Sequence, residues 1–147
     1  MKAGSKARSA ARLAAVQALY QHAMEGTALP VLLDEFHRHR LGAEIEGDQY
    51  AAADVAFFDD VVKGVAARCD EIDELLAGKL AEGWRLERLD KTMLQILRAG
   101  AWELMARPDV PTGSAISEYV DVAHAFFEAR EAKFVNGVLD SVAKVVR

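Results

Sequence analysis

The sequence predicts an all-α single domain, residues 1–147, of about six to seven helices, and three observations support this class. Apolar residues recur three and four positions apart along most of the 147 residues. No segment alternates between apolar and polar residues for long enough to make a convincing strand. The chain is 52% hydrophobic and 28% charged, a balance that suits one folded domain with its own core.

Two helices are predicted before residue 43. The apolar stripe of the first consists of Leu13, Val16, Tyr20 and Ala23. Gly26 is expected to end this helix. The second helix is predicted over 29–40, because Pro30 is tolerated in a first turn and Gly42 follows the last turn. Residues 43–50 form a polar connection.

The longest apolar pattern predicts either one long helix kinked near Gly64 or two collinear helices. Its members are Val55, Phe58, Val62, Val65, Cys69, Ile72, Leu76 and Leu80. Because Cys69 falls on this stripe, we interpret it as a buried structural thiol rather than a reactive one.

The last third of the chain predicts three more helices. Gly83 interrupts the pattern, and Asp90 is the expected N-cap of the next helix. The buried face of that helix is predicted to comprise Met93, Ile96, Leu97, Gly100, Ala101 and Leu104. The prolines of 107–111 (RPDVP) end it, since each disfavours helix in the residue before it. Ser114 is expected to begin the following helix, and a stripe at 135, 139, 142 and 146 defines the last.

The stretch KFVNGVLD, residues 133–140, contains a local contradiction. Asn136-Gly137 between apolar residues is typical of a hairpin turn. However, the apolar stripe continues at helical spacing on both sides of it, so we predict a helix. Gly137 then costs about 1 kcal/mol relative to alanine. We therefore expect a neighbouring helix or a partner to approach it closely.

Composition and motifs exclude several classes of function. No apolar run reaches the length of a membrane span, and the single Cys69 excludes an internal disulfide framework. Glycine-rich phosphate loops and nucleophile motifs are absent, and His37 and His39 are spaced too closely to share a helix face. We expect a cytoplasmic protein that is not an enzyme and has no catalytic residue, metal or cofactor.

The charges are distributed unevenly. The first 24 residues carry +4, from Lys2, Lys6, Arg8 and Arg12, and no acidic residue. The whole chain carries −5, so the rest carries −9. A basic arm, about residues 1–12, on an acidic body indicates phosphate binding. A merely solvated helix start and an organelle transit peptide are the alternatives.

Phe134 is a candidate for stacking on an RNA base. It lies one residue, about 100°, off the apolar stripe of the last helix. Lys133 could contact phosphate beside it, and Asn136 could hydrogen-bond to a base edge. In the alternative interpretation Phe134 widens the core face and Asn136 is structural.

Several stretches together resemble the NusB (N-utilisation substance protein B) family of bacterial transcription antitermination factors. They are ARLAAVQALYQ (11–21), FFDDVVKGV (57–65), ILRAGAWELMARPDVP (96–111), AISEYVDVAHAFF (115–127) and KFVNGVLD (133–140). The resemblance covers most of the chain and implies a fold of two packed helical bundles.

The resemblance also implies function and partners. It implies RNA binding to boxA-type single strands together with the small-subunit ribosomal protein that serves as NusE, in the antitermination complex of RNA polymerase, notably on ribosomal RNA operons. The RNA-binding residues it implies are Lys6, Arg8, Arg12, Tyr20, Lys133 and Phe134. A homodimer stays open. The apolar helix 93–105 and its acidic neighbours are candidates for the contact with the ribosomal protein.

This chain departs from the family pattern in two places. Its basic residues are dispersed (KARSAAR) rather than clustered, so weaker and less salt-sensitive RNA binding is expected. The turn at 126–132 is also unusual, because Arg130 adds a cation that Glu128 and Glu131 partly offset. One alternative function is a NusB-like module that serves a separate RNA-modifying enzyme. Another is a protein-interaction bundle whose acidic body docks the basic ribosomal protein.

Overall fold

A computed structural model describes the backbone of residues 2–41, 44–45, 48–49 and 54–147, and the side chains of residues 6–41 and 54–147. In this part of the chain there are seven α-helices, one 3-10 turn and one pair of two-residue strands. The contacts divide the chain into two compact units, Met1–Gly64 and Val65–Arg147. The all-α prediction is confirmed, and the two units agree with the two helical bundles that the resemblance implies. The single domain stays a prediction.

The first unit contains α1 (Lys2–Glu25), α2 (Leu29–His39), the strands β1 (Glu44–Ile45) and β2 (Asp48–Gln49), and most of α3 (Val55–Ala67). Gly26 ends α1 as predicted, because its φ of +69° is a conformation that glycine adopts without steric cost. The two antiparallel strands occupy part of the predicted polar connection. With two residues each, they do not change the fold class.

The long apolar pattern forms two helices rather than one. α3 ends at Ala67, and α4 (Cys69–Ala77) begins after Arg68. The break therefore lies at Arg68, whose φ of −118° and ψ of 25° are not helical, and not near Gly64 as predicted for a kinked helix. Cys69 is half-buried rather than buried.

The second unit is organised around α5 (Lys91–Ala106), which is followed by α6 (Thr112–Phe126) and α7 (Ala129–Val146). A 3-10 turn, Leu86–Arg88, precedes α5. Asp90 is the N-cap of α5, as predicted. Its carboxylate accepts hydrogen bonds from the backbone N–H groups of Thr92 and Met93 at 2.8 and 3.2 Å. α6 begins at Thr112, two residues before the predicted start.

α5 is buried on nearly every side, well beyond its predicted face. All six residues of that face are buried, and so are Gln95, Trp102 and Glu103. The hydroxyl of Tyr119 in α6 donates a 2.8 Å hydrogen bond to the carboxylate of Glu103. The apolar side chains of α5 therefore pack mainly inside the second unit. The contact of helix 93–105 with the ribosomal protein stays a prediction.

KFVNGVLD lies inside α7, so the helix prediction is confirmed and the hairpin is rejected. Among the described residues, nothing lies within 4 Å of the position that a Cβ would take at Gly137. The prediction that a neighbouring helix of this chain approaches Gly137 closely is therefore wrong. The close approach occurs at Gly100 instead. A Cβ there would lie 2.7 Å from Cδ1 of Leu139 in α7.

Among the helices of the described residues, none is both long and apolar enough to cross a membrane. Within the same residues, no group of three His, Cys, Asp or Glu side chains could hold a metal ion.

Candidate nucleic-acid interface

Two arginines of the predicted basic arm lie against one aromatic ring in the first unit. The guanidinium carbons of Arg8 and Arg12 lie 4.8 and 4.9 Å from the centre of the Phe57 ring in α3. Such cation–π contacts are worth roughly 0.5–2 kcal/mol, depending on their desolvation. Both arginines therefore help to hold α1 against α3.

Asp54 strengthens the same junction. Its carboxylate accepts a 3.0 Å hydrogen bond from the backbone N–H of Phe57 at the start of α3, and its own N–H donates to the carbonyl of Ala7. It also pairs with Arg8, Nε to Oδ2, at 3.5 Å. The charge of Arg8 is thus partly compensated within the first unit.

The four predicted binding residues of the first unit differ in exposure. Lys6 is exposed and the Arg8 side chain is 36% exposed, so both can reach a phosphate. Tyr20 is 39% exposed and offers part of its ring to solvent. Arg12 is only 4% exposed. With so little exposed surface the Arg12 guanidinium is a poor partner for a phosphate, and it lies against the Phe57 ring.

Phe134 lines a groove in the second unit. The cavity is about 530 Å³ and is lined by Trp84, Arg88, Leu89, Asp90, Met93, Phe127, Arg130, Glu131 and Phe134. The ring centres of Trp84 and Phe134 are 6.4 Å apart, and their planes are inclined at 38°. Phe134 is partly exposed, so it neither belongs wholly to the core nor points freely into solvent.

The groove contains two cations and two anions, but the anions already have backbone partners. Asp90 caps α5, and Glu131 forms a reciprocal capping box with Glu128 at the start of α7. Hydrogen bonding of the Glu131 carboxylate to its own backbone N–H, followed by its bond to Arg130, lowers the pKa of that carboxyl. Arg88 has no ion-pair partner within the described part of the chain.

Lys133 is exposed on α7 but does not line the groove. Arg130 and Phe134 are four residues apart and therefore face the groove together, whereas Lys133 is rotated away from them. Asn136 and Gly137 are exposed as well. The structure thus places Phe134 beside Trp84, Arg88 and Arg130, with Lys133 at the side.

Sequence reasoning missed Trp84 and Arg88 as members of this site. Trp84 is 57% exposed, which is unusual for so large an apolar side chain. The sequence did contain one signal for this exposed residue: a tryptophan directly after Gly83, in a stretch without helical period. The two residues belong to the segment between α4 and α5, so only the tertiary structure brings them to α7.

Comparison with known proteins decides the family. The family model described as "NusB family" matches residues 9–144. The chain belongs to the NusB family. It is similar to the transcription antitermination protein NusB of Novosphingobium aromaticivorans, with 77% identity over 142 residues that cover 97% of this chain and 96% of the relative. The corresponding protein of Sphingopyxis alaskensis is 63% identical over 147 residues, covering 100% of this chain and 99% of the relative.

Solved structures of NusB proteins have the same fold. A NusB of T. maritima is 30% identical, with a TM-score of 0.76 and coverage of 93% of this chain and 90% of that chain. A structure of the antitermination factors NusB and NusE in complex with dsRNA matches with a TM-score of 0.78, covering 95% of this chain and 98% of that chain. At 23% identity the second likeness shows the fold of this NusB-family chain and nothing more.

Proposed function

We propose that this NusB-family chain acts in transcription antitermination by binding unpaired boxA-type RNA together with the ribosomal protein NusE. The observation that carries the proposal is the groove that the partly exposed Phe134 lines together with Arg88 and Arg130. Single-stranded RNA is held by cations on its phosphates and by aromatic rings on which its bases stack. The groove supplies both kinds of group.

Each residue of the proposed RNA-binding set has a role that follows from its position. Phe134 stacks on a base, and Lys133 contacts phosphate at the side of the groove. In the first unit, Lys6 and Arg8 contact phosphate. Tyr20 offers an aromatic ring to RNA. Arg12 acts through Phe57 by keeping α1 and α3 together, rather than through a contact of its own.

The partner and the setting follow from the family. Relatives are named transcription antitermination proteins, and one matched structure contains NusB and NusE in complex with dsRNA. We propose the same ribosomal protein as partner here, working with RNA polymerase in the cytoplasm and without catalysis. The acidic body, with −9 outside the first 24 residues, suits a basic ribosomal protein.

Fluorescence anisotropy with a labelled boxA-type oligonucleotide tests the proposal, with NusE present and absent. We expect binding of the single strand, tighter binding with NusE, and weaker binding when the same oligonucleotide is paired in a duplex. Binding of NusE without any binding of RNA would overturn the proposal and favour a protein-interaction module.

A matched pair of variants assigns the aromatic residue. Phe134→Ala should weaken RNA binding by roughly 1–3 kcal/mol if a base stacks on the ring. Val145→Ala truncates another apolar side chain of α7, which is 58% exposed and outside the groove, and should leave binding unchanged. If both variants bind RNA as tightly as the wild type, Phe134 has a structural role and does not stack on a base.

A further inference from the structure

Trp84 is shared by two grooves of the second unit. It lines the groove of Phe134 and also a cavity of about 690 Å³. The residues of this second groove are Asp73, Ala77, Trp84, Arg85, Leu86, Glu87, Lys91, Leu94 and Arg98. The two grooves therefore adjoin at Trp84.

The second groove has two cations that form no ion pair in the described part of the chain. Arg98 is held by Asp73 in a bidentate ion pair with N–O distances of 2.8 and 2.7 Å, so these two charges satisfy each other. Arg85 and Lys91 are exposed, and neither has an ion pair in the described part of the chain. Glu87 is the remaining anion, which leaves one positive charge in excess.

The ring geometry defines how bases could stack. A centre-to-centre distance of 6.4 Å places Trp84 and Phe134 in direct contact as an aromatic pair. A base therefore does not lie between the rings. A base that binds here would stack on the outer face of either ring, so the pair could receive two neighbouring unpaired bases.

We propose that Trp84 is a second base-stacking residue and that the RNA strand continues across it into the second groove. One base stacks on Phe134 and its neighbour on Trp84, and the following phosphates meet Arg85 and Lys91. This inference rests on the RNA binding proposed above and extends it by one ring and two cations.

An RNA strand fits this surface better than a peptide does. The two grooves together carry five cations and four carboxylates, a net charge of +1, and Arg85, Arg88 and Lys91 have no ion pair in the described part of the chain. Most of the other charges are engaged: Asp90 and Glu131 accept hydrogen bonds from backbone N–H groups at helix N-termini, and Asp73 pairs with Arg98. An exposed indole face flanked by cations on both sides is the arrangement that successive bases and phosphates need. A peptide ligand is the alternative outcome of the test.

Tryptophan fluorescence reports on Trp84 directly. The chain has two tryptophans, and Trp102 is only 6% exposed. Stacking of a base on Trp84 should quench its emission when an unlabelled boxA-type oligonucleotide is added. Trp84→Phe should abolish the quenching, because only the buried Trp102 remains. Binding without quenching in the wild type would overturn the proposal, and this measurement uses the folded wild-type protein.

Affinity measurements separate stacking from packing. Trp84→Ala should weaken RNA binding by about 5- to 150-fold, the range expected for the loss of one base–aromatic stack, whereas Trp84→Phe keeps a ring and should retain most of the affinity. Binding by Trp84→Ala at the wild-type level, with Phe134→Ala impaired, would refute the role of Trp84 while leaving the proposed function intact. Absence of RNA binding by the wild type itself would refute the proposed function.

The salt dependence tests the path of the strand. If Arg85 and Lys91 each meet one phosphate, the double change to glutamine should reduce the slope of log K against log salt by about 1.4. Lys144→Gln is the matched control, because Lys144 lies ten residues beyond Phe134 on α7 and pairs with Asp140. An unchanged slope in the double variant would show that Arg85 and Lys91 do not contact phosphate and that the bound strand does not extend beyond Trp84. A loss of slope in the control alone would place the strand elsewhere.

Discussion

Gly137→Ala tests whether the glycine of KFVNGVLD is needed by the fold or by a partner. Gly137 lies in the interior of α7, is exposed, and has open space where a Cβ would stand. Glycine inside a helix costs conformational entropy that alanine does not. Nothing within the described chain therefore requires glycine here, and alanine should stabilise the protein.

The magnitude follows from helix propensity. Alanine is favoured over glycine by about 0.8–1.0 kcal/mol in a helix interior, and no clash subtracts from this at Gly137. For a chain near 150 residues, 1 kcal/mol raises Tm by about 2–4 °C. We expect a gain of this size in the free energy of unfolding.

Gly100→Ala is the matched control, because it adds the same methyl group at a crowded position. Its Cβ would lie 2.7 and 3.0 Å from the two terminal methyl carbons of Leu139 and 3.4 Å from Cδ2 of Tyr119. Overpacking of a core costs about 1–3 kcal/mol, which exceeds or cancels the propensity gain. We expect a net loss of about 0–2 kcal/mol, since the end of the Leu139 side chain can shift a little.

Thermal and urea unfolding of the two variants measure these differences, followed by RNA and NusE titrations of Gly137→Ala. A loss of stability in Gly137→Ala would refute the reasoning, because it would reveal a contact at Gly137 that the structure does not contain. A gain of stability together with weaker RNA or NusE binding would assign the glycine to close approach of that ligand.

Three further predictions concern the second unit. Arg147→Ala should lower the free energy of unfolding by about 1–3 kcal/mol in urea, because the Arg147 guanidinium donates hydrogen bonds to three carbonyls and a hydroxyl at the end of α5 and after it. Arg147→Lys should restore only part of this loss, since an ammonium group lacks the planar fork of a guanidinium. The lowered pKa of Glu131 means that its ionised form stabilises the fold above the ordinary value of 4.5 and that this contribution is lost as pH falls. The Tm difference between wild type and Glu131→Gln, which keeps the capping box, should therefore shrink on acidification, and a constant difference would contradict the assignment. Burial raises the pKa of the Cys69 thiol, so iodoacetamide should label the native protein more slowly than the urea-unfolded protein, and equal rates would contradict this.

Local sequence patterns predicted the helices well, but they predicted the breaks less well. Apolar spacing locates a helix because residues three and four apart share a face. It does not reveal where the backbone leaves the helix without glycine or proline, and the break at Arg68 lies in such a place. The start of α6 at Thr112 was missed for a similar reason, since Pro111 is compatible with an N-cap that has no capping side chain.

For the candidate site, the sequence indicated Phe134 and the basic residues but not their surroundings. The position of Phe134 one step off the apolar stripe suggested partial exposure, and the structure shows partial exposure. The burial of Arg12 could not be read from its spacing, because it depends on Phe57, which lies 45 residues further along the chain.

The sequence by itself determined the all-α class, the family and the helical state of KFVNGVLD, because periodicity and motif order are properties of neighbouring residues. Only the tertiary structure decided that Gly100, and not Gly137, is the glycine that another helix requires, and that Trp84 and Arg88 stand beside Phe134. The physical reason is that close packing and groove formation depend on residues distant in sequence, whose distances no local pattern encodes.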